Sequence, residues 1–198
     1  MDPNKKTQNR KIDMKQYIKP VLYILLLSIL LTTLAISCKP QPTPSKPQPL
    51  DSVYTTMDLR LHGDYYESGH SVYSLDLLSE GLAFDSLGYI VGTGCNLYLS
   101  DIFVHIDSTL RLPAGEYLMD STAREMRFLP GMDFEGNVTG TYLLVIEDNQ
   151  LKRIQLFETG SMQVEYDEDD VEMSFLLYSA DSTMVYRATY NGVTDTEL

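Results

Sequence analysis

The 198-residue chain contains no tryptophan, two cysteines, three histidines and few basic groups beyond its first segment. Each shortage excludes something. Two cysteines cannot staple a disulfide framework, so the fold must rest on its own core. Without tryptophan that core falls to Leu, Ile, Val, Met, Phe and Tyr. His62, His70 and His105 have neither His-x-His nor His-x-x-x-His spacing. A zinc site would need the fold to gather them with a carboxylate, and scattered histidines of this kind are ordinarily surface residues. No Gly-x-Ser-x-Gly, phosphate loop or dinucleotide fingerprint occurs, and no cofactor is expected. Residues 38–198 hold nine basic against 26 acidic groups, a net −17. Such a body has no counterion-release route to nucleic acid, and anionic lipid repels it unless something anchors it.

What is present begins with an export signal. Residues 1–37 hold six basic and two acidic groups, net +4, and the basic stretch precedes the apolar run Val21 to Ile36. Sixteen residues is the length of a signal-peptide core and short for a membrane span. Leu34-Ala35-Ile36-Ser37-Cys38 follows. This segment resembles the lipobox of bacterial lipoproteins, in the loosened form of Bacteroidetes lipoproteins: Ala35 stands where leucine is usual, with Leu34 one step further out. The resemblance implies cleavage before Cys38 and a diacylglycerol on its sulfur, anchoring the chain in the membrane. Ala35-Ile36-Ser37 also fits ordinary signal peptidase, which cuts the same bond and leaves no lipid, and an uncleaved run would be a membrane anchor. Each buried methylene contributes about 0.8 kcal/mol, so two or three acyl chains hold a protein that one would not. Lys39 replaces the aspartate that retains many lipoproteins in the inner membrane, which by analogy favours the outer membrane of the cell envelope. The acidic signal linked to surface display is also absent, so both leaflets stay open.

The next segment is a spacer. Lys39 to Pro49 carries five of the nine prolines, which lack amide donors and fix φ. Polyproline II at roughly 3.1 Å per residue gives about 34 Å of stand-off. The division is therefore a leader at 1–37, the lipidated cysteine and Pro-rich linker at 38–50, and one domain at 51–198.

That domain reads as all-β. It holds all twelve glycines and only Pro113 and Pro130. Eleven short alternating or apolar runs recur, at Val53–Arg60, Val72–Leu78, Leu87–Val91, Asn96–Leu99, Ile102–Ile106, Glu116–Met119, Thr141–Ile146, Leu151–Phe157, Ser161–Tyr166, Val171–Ser179 and Thr183–Tyr190. Tyrosine and β-branched residues fill them, as a half-buried pleated surface prefers. Turns are expected at Gly88, Gly92 with Gly94, Asp148-Asn149, Thr159-Gly160 and Ala180-Asp181-Ser182. Short connections imply antiparallel neighbours, hence an antiparallel β-sandwich or an up-and-down barrel. Leu112-Pro-Ala-Gly-Glu-Tyr117, Phe128-Leu-Pro-Gly131, Gly140-Thr-Tyr142 and Tyr186 to Gly192 resemble phrases of Bacteroidetes lipoproteins with calycin-like or sandwich β domains. That resemblance implies fold and compartment, and carries no activity.

Candidate chemistry is sparse. Cys95 alternates with Leu97 and Leu99 and reads as a core residue rather than a nucleophile. Asp167, Asp169 and Asp170, in the densest acidic stretch, are calcium candidates, although a solvated hairpin tip explains them as well and the calcium-loop spacing is missing. Asp-Ser followed by Val, Leu or Thr recurs at Ser52, Ser86, Ser108, Ser121 and Ser182. The pattern resembles the acceptor of general O-glycosylation in Bacteroides, while Asp-Ser is also favoured in turns by side-chain hydrogen bonds. Fourteen tyrosines, among them Tyr65-Tyr66, suit strand packing or stacking on a sugar. The expected function is a non-catalytic, lipid-anchored binding or structural module for a protein or glycan. The alternatives are an inhibitor of a basic enzyme, which should present a protruding acidic loop near 165–172, and a polysaccharide-active enzyme, which should present convergent carboxylates in a cleft.

Overall fold

The computed structural model describes residues 49–106, 111–180 and 184–193. The leader, Cys38 and the linker as far as residue 48 lie outside them, as do Ser108 and Ser182. The described residues form strands and turns without a helix. In chain order the strands are β1 (Pro49–Gly63), β2 (His70–Ser79), β3 (Leu82–Phe84), β4 (Ile90–Gly92), β5 (Gly94–His105), β6 (Gly115–Met119) and β7 (Arg127–Phe128). They continue with β8 (Met132–Phe134), β9 (Asn137–Thr139), β10 (Thr141–Glu147), β11 (Gln150–Leu156), β12 (Thr159–Asp167), β13 (Asp170–Tyr178) and β14 (Val185–Val193). The first strand starts at Pro49, two residues before the expected domain start, because a proline is tolerated at a strand's first position.

Eight strands close into a ring in the order β5-β2-β1-β14-β13-β12-β6-β7, with β7 returning to β5. The fold is thus an all-β barrel, but not a purely up-and-down one. β1 runs parallel to β14, and β6 parallel to β7. The closing strand is two residues long and pairs Phe128 with Ile102 and Arg127 with Phe103.

β5 makes the barrel possible by serving two neighbours along one edge. Its first half pairs with β10, Leu97 opposite Leu143, and its second half pairs with β7. The change falls at Ser100-Asp101, where the β2 register slips between Tyr73 and Leu75 and Asp101 has a φ of 57°. This is a bulge, which bends a strand and re-aims its side chains. It corrects the sequence expectation of two strands, Asn96–Leu99 and Ile102–Ile106: they are one strand with an extra residue in its middle.

Two other expectations are corrected. Leu87 stands in the β3–β4 turn, and only Ile90 and Val91 of that run are strand. Thr159-Gly160 opens β12 instead of forming a turn. A Cβ on Gly160 would lie 2.5 Å from the Leu176 carbonyl oxygen, so the close approach of β13 explains the glycine. Asp148-Asn149 does make the expected turn, with φ of 51° and 61°. Asn149 also fastens this hairpin to the β4–β5 junction, donating from its amide to the Gly92 carbonyl (3.0 Å) and accepting from the Gly92 amide.

Side chains fill the barrel. Leu59, Leu75, Leu77, Leu97, Leu99, Ile102, Val164, Met173 and Leu177 are buried with Tyr54, Tyr73, Tyr117 and Tyr186 in one cluster. A buried phenol needs a partner. The Tyr54 and Tyr186 hydroxyls share a hydrogen bond, and Tyr117 donates to the Pro113 carbonyl at 2.8 Å. A second, smaller cluster lies on the outer face, where Leu82, Phe84 and Ile90 of the β3–β4 hairpin pack on Leu78, Leu144 and Ile146.

Candidate functional site

The outer face of β1, β2, β5 and β10 brings polar and aromatic side chains together across four strands. One straight cross-strand row reads Asp58, Asp76, Tyr98, Tyr142. The Tyr98 and Tyr142 rings lie 5.1 Å apart at 38°. Burial raises the Asp76 carboxyl above its ordinary value, with Asp58 adding to the effect, while an Asn96 Nδ2 donation (3.0 Å) partly offsets it. Burial likewise pushes the Tyr142 hydroxyl up to about 12, so it remains a neutral donor near neutral pH.

One step along the strands, the Ser74 hydroxyl bonds His62 Nε2 at 2.9 Å and also meets Tyr98. Beside them the β5 bulge turns Asp101 outward. Its Oδ1 accepts from the Tyr66 hydroxyl at 2.7 Å and its Oδ2 from the Ser100 hydroxyl at 2.6 Å. Burial and this bond together push Tyr66 up to about 12. Tyr66 also packs on Phe103, with centroids 5.9 Å apart, and meets Tyr65 edge-on at 5.0 Å. The loop that carries the two tyrosines is folded by Asp64, whose carboxylate accepts from the Ser68 and Gly69 amides. Tyr65 is left 71% exposed. His62, Tyr65, Val72, Ser74, Tyr98, Ser100 and Asp101 line an open cleft of about 260 Å³.

No protein-family model, curated protein or solved structure matches this chain.

The sequence had singled out Tyr65-Tyr66 but neither Asp101 nor the Asp76–Tyr98–Tyr142 row. Asp101 did leave a trace, since it interrupts the alternation between Leu99 and Ile102. The row left none, because it is made by register across four strands.

The other candidates are dispersed. Cys95 packs against the barrel core, and burial raises its thiol, opposing the thiolate a nucleophile needs. His70 and His105 are cross-strand partners, while His62 lies with Ser74. Asp167 and Asp170 close the β12–β13 hairpin opposite each other, with Asp169 in its turn. Glu165 faces Glu172 two residues back. Among the described residues no three His, Cys, Asp or Glu side chains converge as metal ligands. Ser52 is half-buried in β1 and bonds Tyr186. Ser86 and Ser121 are exposed, each following an aspartate that orders its turn. Asp85 accepts from the Leu87 and Tyr89 amides at 2.8 and 2.9 Å, and Asp120 accepts from the Thr122 amide at 3.1 Å. Those bonds account for the aspartate at both turns.

Proposed function

We propose that the chain is a cell-envelope lipoprotein, anchored through Cys38, whose barrel is a non-catalytic glycan-binding module. The observation that carries this reading is the tyrosine-lined cleft on the outer barrel face. Sugar rings present an apolar face to an aromatic ring and hydroxyls to polar side chains, and sites of this kind combine aromatic walls with a few placed polar groups. Tyr65 and Tyr98 supply the first, and Asp101, Ser74, Ser100 and His62 the second.

His62 stands near the end of β1 opposite Pro49, and Tyr65 lies just beyond it. The inhibitor alternative would use the exposed acidic tip of the β12–β13 hairpin, whose strands pair down to Asp167 opposite Asp170 and leave Glu168 and Asp169 in the turn.

Two measurements test the proposal on the full chain. The intact mass of the membrane-fraction protein should include acyl groups, and Cys38→Ser should release it to the soluble fraction. An unacylated mature chain refutes the anchor. Affinity electrophoresis against soluble polysaccharides should show retardation that Tyr98→Ala abolishes. Equal retardation of parent and variant removes the cleft from the account.

A further inference from the structure

We infer that the cleft selects an uncharged sugar ring, with the Asp101 carboxylate receiving a pair of neighbouring ring hydroxyls; this rests on the glycan reading above. The argument begins with valence. A carboxylate has about four lone-pair positions. Asp101 uses one on each oxygen, for Tyr66 and Ser100. One position remains on each oxygen, which matches two adjacent hydroxyl donors. The two internal bonds hold the carboxylate at fixed orientation, so little side-chain freedom is lost when a ligand arrives.

The bulge makes this arrangement specific to Asp101. At a φ of 57° the residue occupies the left-handed region, which aspartate and asparagine enter more readily than most residues. A cleft of about 260 Å³ suits one ring, with Tyr65 and Tyr98 among its walls.

Charge then decides the class. An acidic sugar would set its carboxylate against Asp101 and would need a free cation nearby. The guanidiniums on the flanking strands each sit against a carboxylate that offsets their charge. Arg60 holds Asp58 through Nε at 2.8 Å and through a second nitrogen. Arg127 turns its Nη1 onto the Met126 carbonyl at 2.8 Å, with Asp120 at 3.9 Å. His62 is committed to Ser74. Like-charge juxtaposition without a counterion costs affinity and acts as selection against the wrong partner.

The test uses the full chain in detergent, with neutral mannan, xylan and dextran as probes and polygalacturonate as the anionic probe. At least one neutral polymer should bind, and polygalacturonate should not. Asp101→Asn keeps the shape and the left-handed backbone but loses the charge and half the acceptor capacity. It should weaken neutral binding about tenfold or more, as loss of a charged hydrogen bond does. Circular dichroism should confirm that the variant is folded, and Tyr98→Ala supplies the loss-of-wall comparison. Polygalacturonate binding as tightly as a neutral polymer overturns the inference but leaves the glycan reading standing. Neutral binding that falls with Tyr98→Ala and not with Asp101→Asn also overturns it. Binding of none of the four polymers overturns both.

Discussion

The outer face of β2, β5 and β10 is one continuous surface with two different halves. Toward Ser79 and Gly94 it carries Leu78, Leu144 and Ile146, and the β3–β4 hairpin covers it. Toward His70 and His105 it carries Asp76, Tyr98, Tyr142, Ser74 and Asp101, and the space above it is open. Asn96 marks the border, fully buried, with its amide shared between Asp76 Oδ1 and the Leu77 carbonyl. An apolar outer face gains by being covered, at about 25 cal/mol per Å². A row of carboxylates and phenols gains nothing from such a cover and keeps its hydrogen-bonding capacity for something else. The first half stabilises the fold, and the second half is where a ligand can be met.

The contrast breaks most visibly at Leu78. Leu78→Ala empties the space under the hairpin and should lower stability by about 2–5 kcal/mol, read as a shift in the urea midpoint. Glycan binding by the fraction that remains folded should be unchanged. A loss below about 1 kcal/mol would mean that the hairpin can collapse onto the gap and that the covered half is not a true core.

Next in size is Asn149, which ties the hairpin region to the rest. Asn149→Ala places a Cβ-bearing residue without a local hydrogen bond at φ 61° and removes the acceptor for the Gly92 amide. The expected cost is about 1–2 kcal/mol. Protection of the Gly92 amide against hydrogen exchange should fall with it, and unaltered protection would show that the bond is dispensable.

How legible was this contrast in the sequence? The fold class was, because alternation with period two survives wherever one strand face meets a core, as in Val53–Arg60 and Val171–Ser179. The turn at Asp148-Asn149 was legible because those residue types tolerate positive φ. The short strands β3, β7, β8 and β9 were not, since two or three residues carry no period. Barrel closure was hidden for the same reason, as it hangs on Arg127 and Phe128 alone. The site was half legible. Tyr65-Tyr66 stood out as adjacent aromatics, whereas Asp76, Tyr98 and Tyr142 are separated by successive steps of 22 and 44 residues in the chain and become neighbours only through register. Asp101 read as a break between strands when it is the bulge that builds the site.

A smaller effect belongs to Asp76, the open-half residue that Asn96 at the border contacts. Asp76 is held above the ordinary carboxylate value of 3.8 mainly by burial. Its folded form therefore binds a proton more tightly than its unfolded form. Stability falls as pH rises from that ordinary value through the raised one, and stays lower beyond it. Asp76→Asn keeps an oxygen to accept from Asn96 and removes the buried charge. The variant should unfold at a higher temperature than the parent at neutral pH, and the advantage should vanish below the ordinary carboxylate range. An advantage that persists unchanged in acid would trace to packing and not to charge.

The smallest stability effect belongs to the open half and is the sharpest test of the division. Tyr65 is 71% exposed and meets Tyr66 only edge-on. Truncating so exposed a ring should change stability by no more than about 0.5 kcal/mol. Tyr65→Ala should therefore melt with the parent, while its retardation in polysaccharide gels drops markedly, since the cleft loses one of its aromatic walls. The covered half behaves oppositely at Leu78, where stability collapses and binding per folded molecule persists. If Tyr65→Ala instead loses stability and keeps its binding, the tyrosine loop is a second cover like the β3–β4 hairpin. The ligand-facing surface would then have to be sought elsewhere on the barrel.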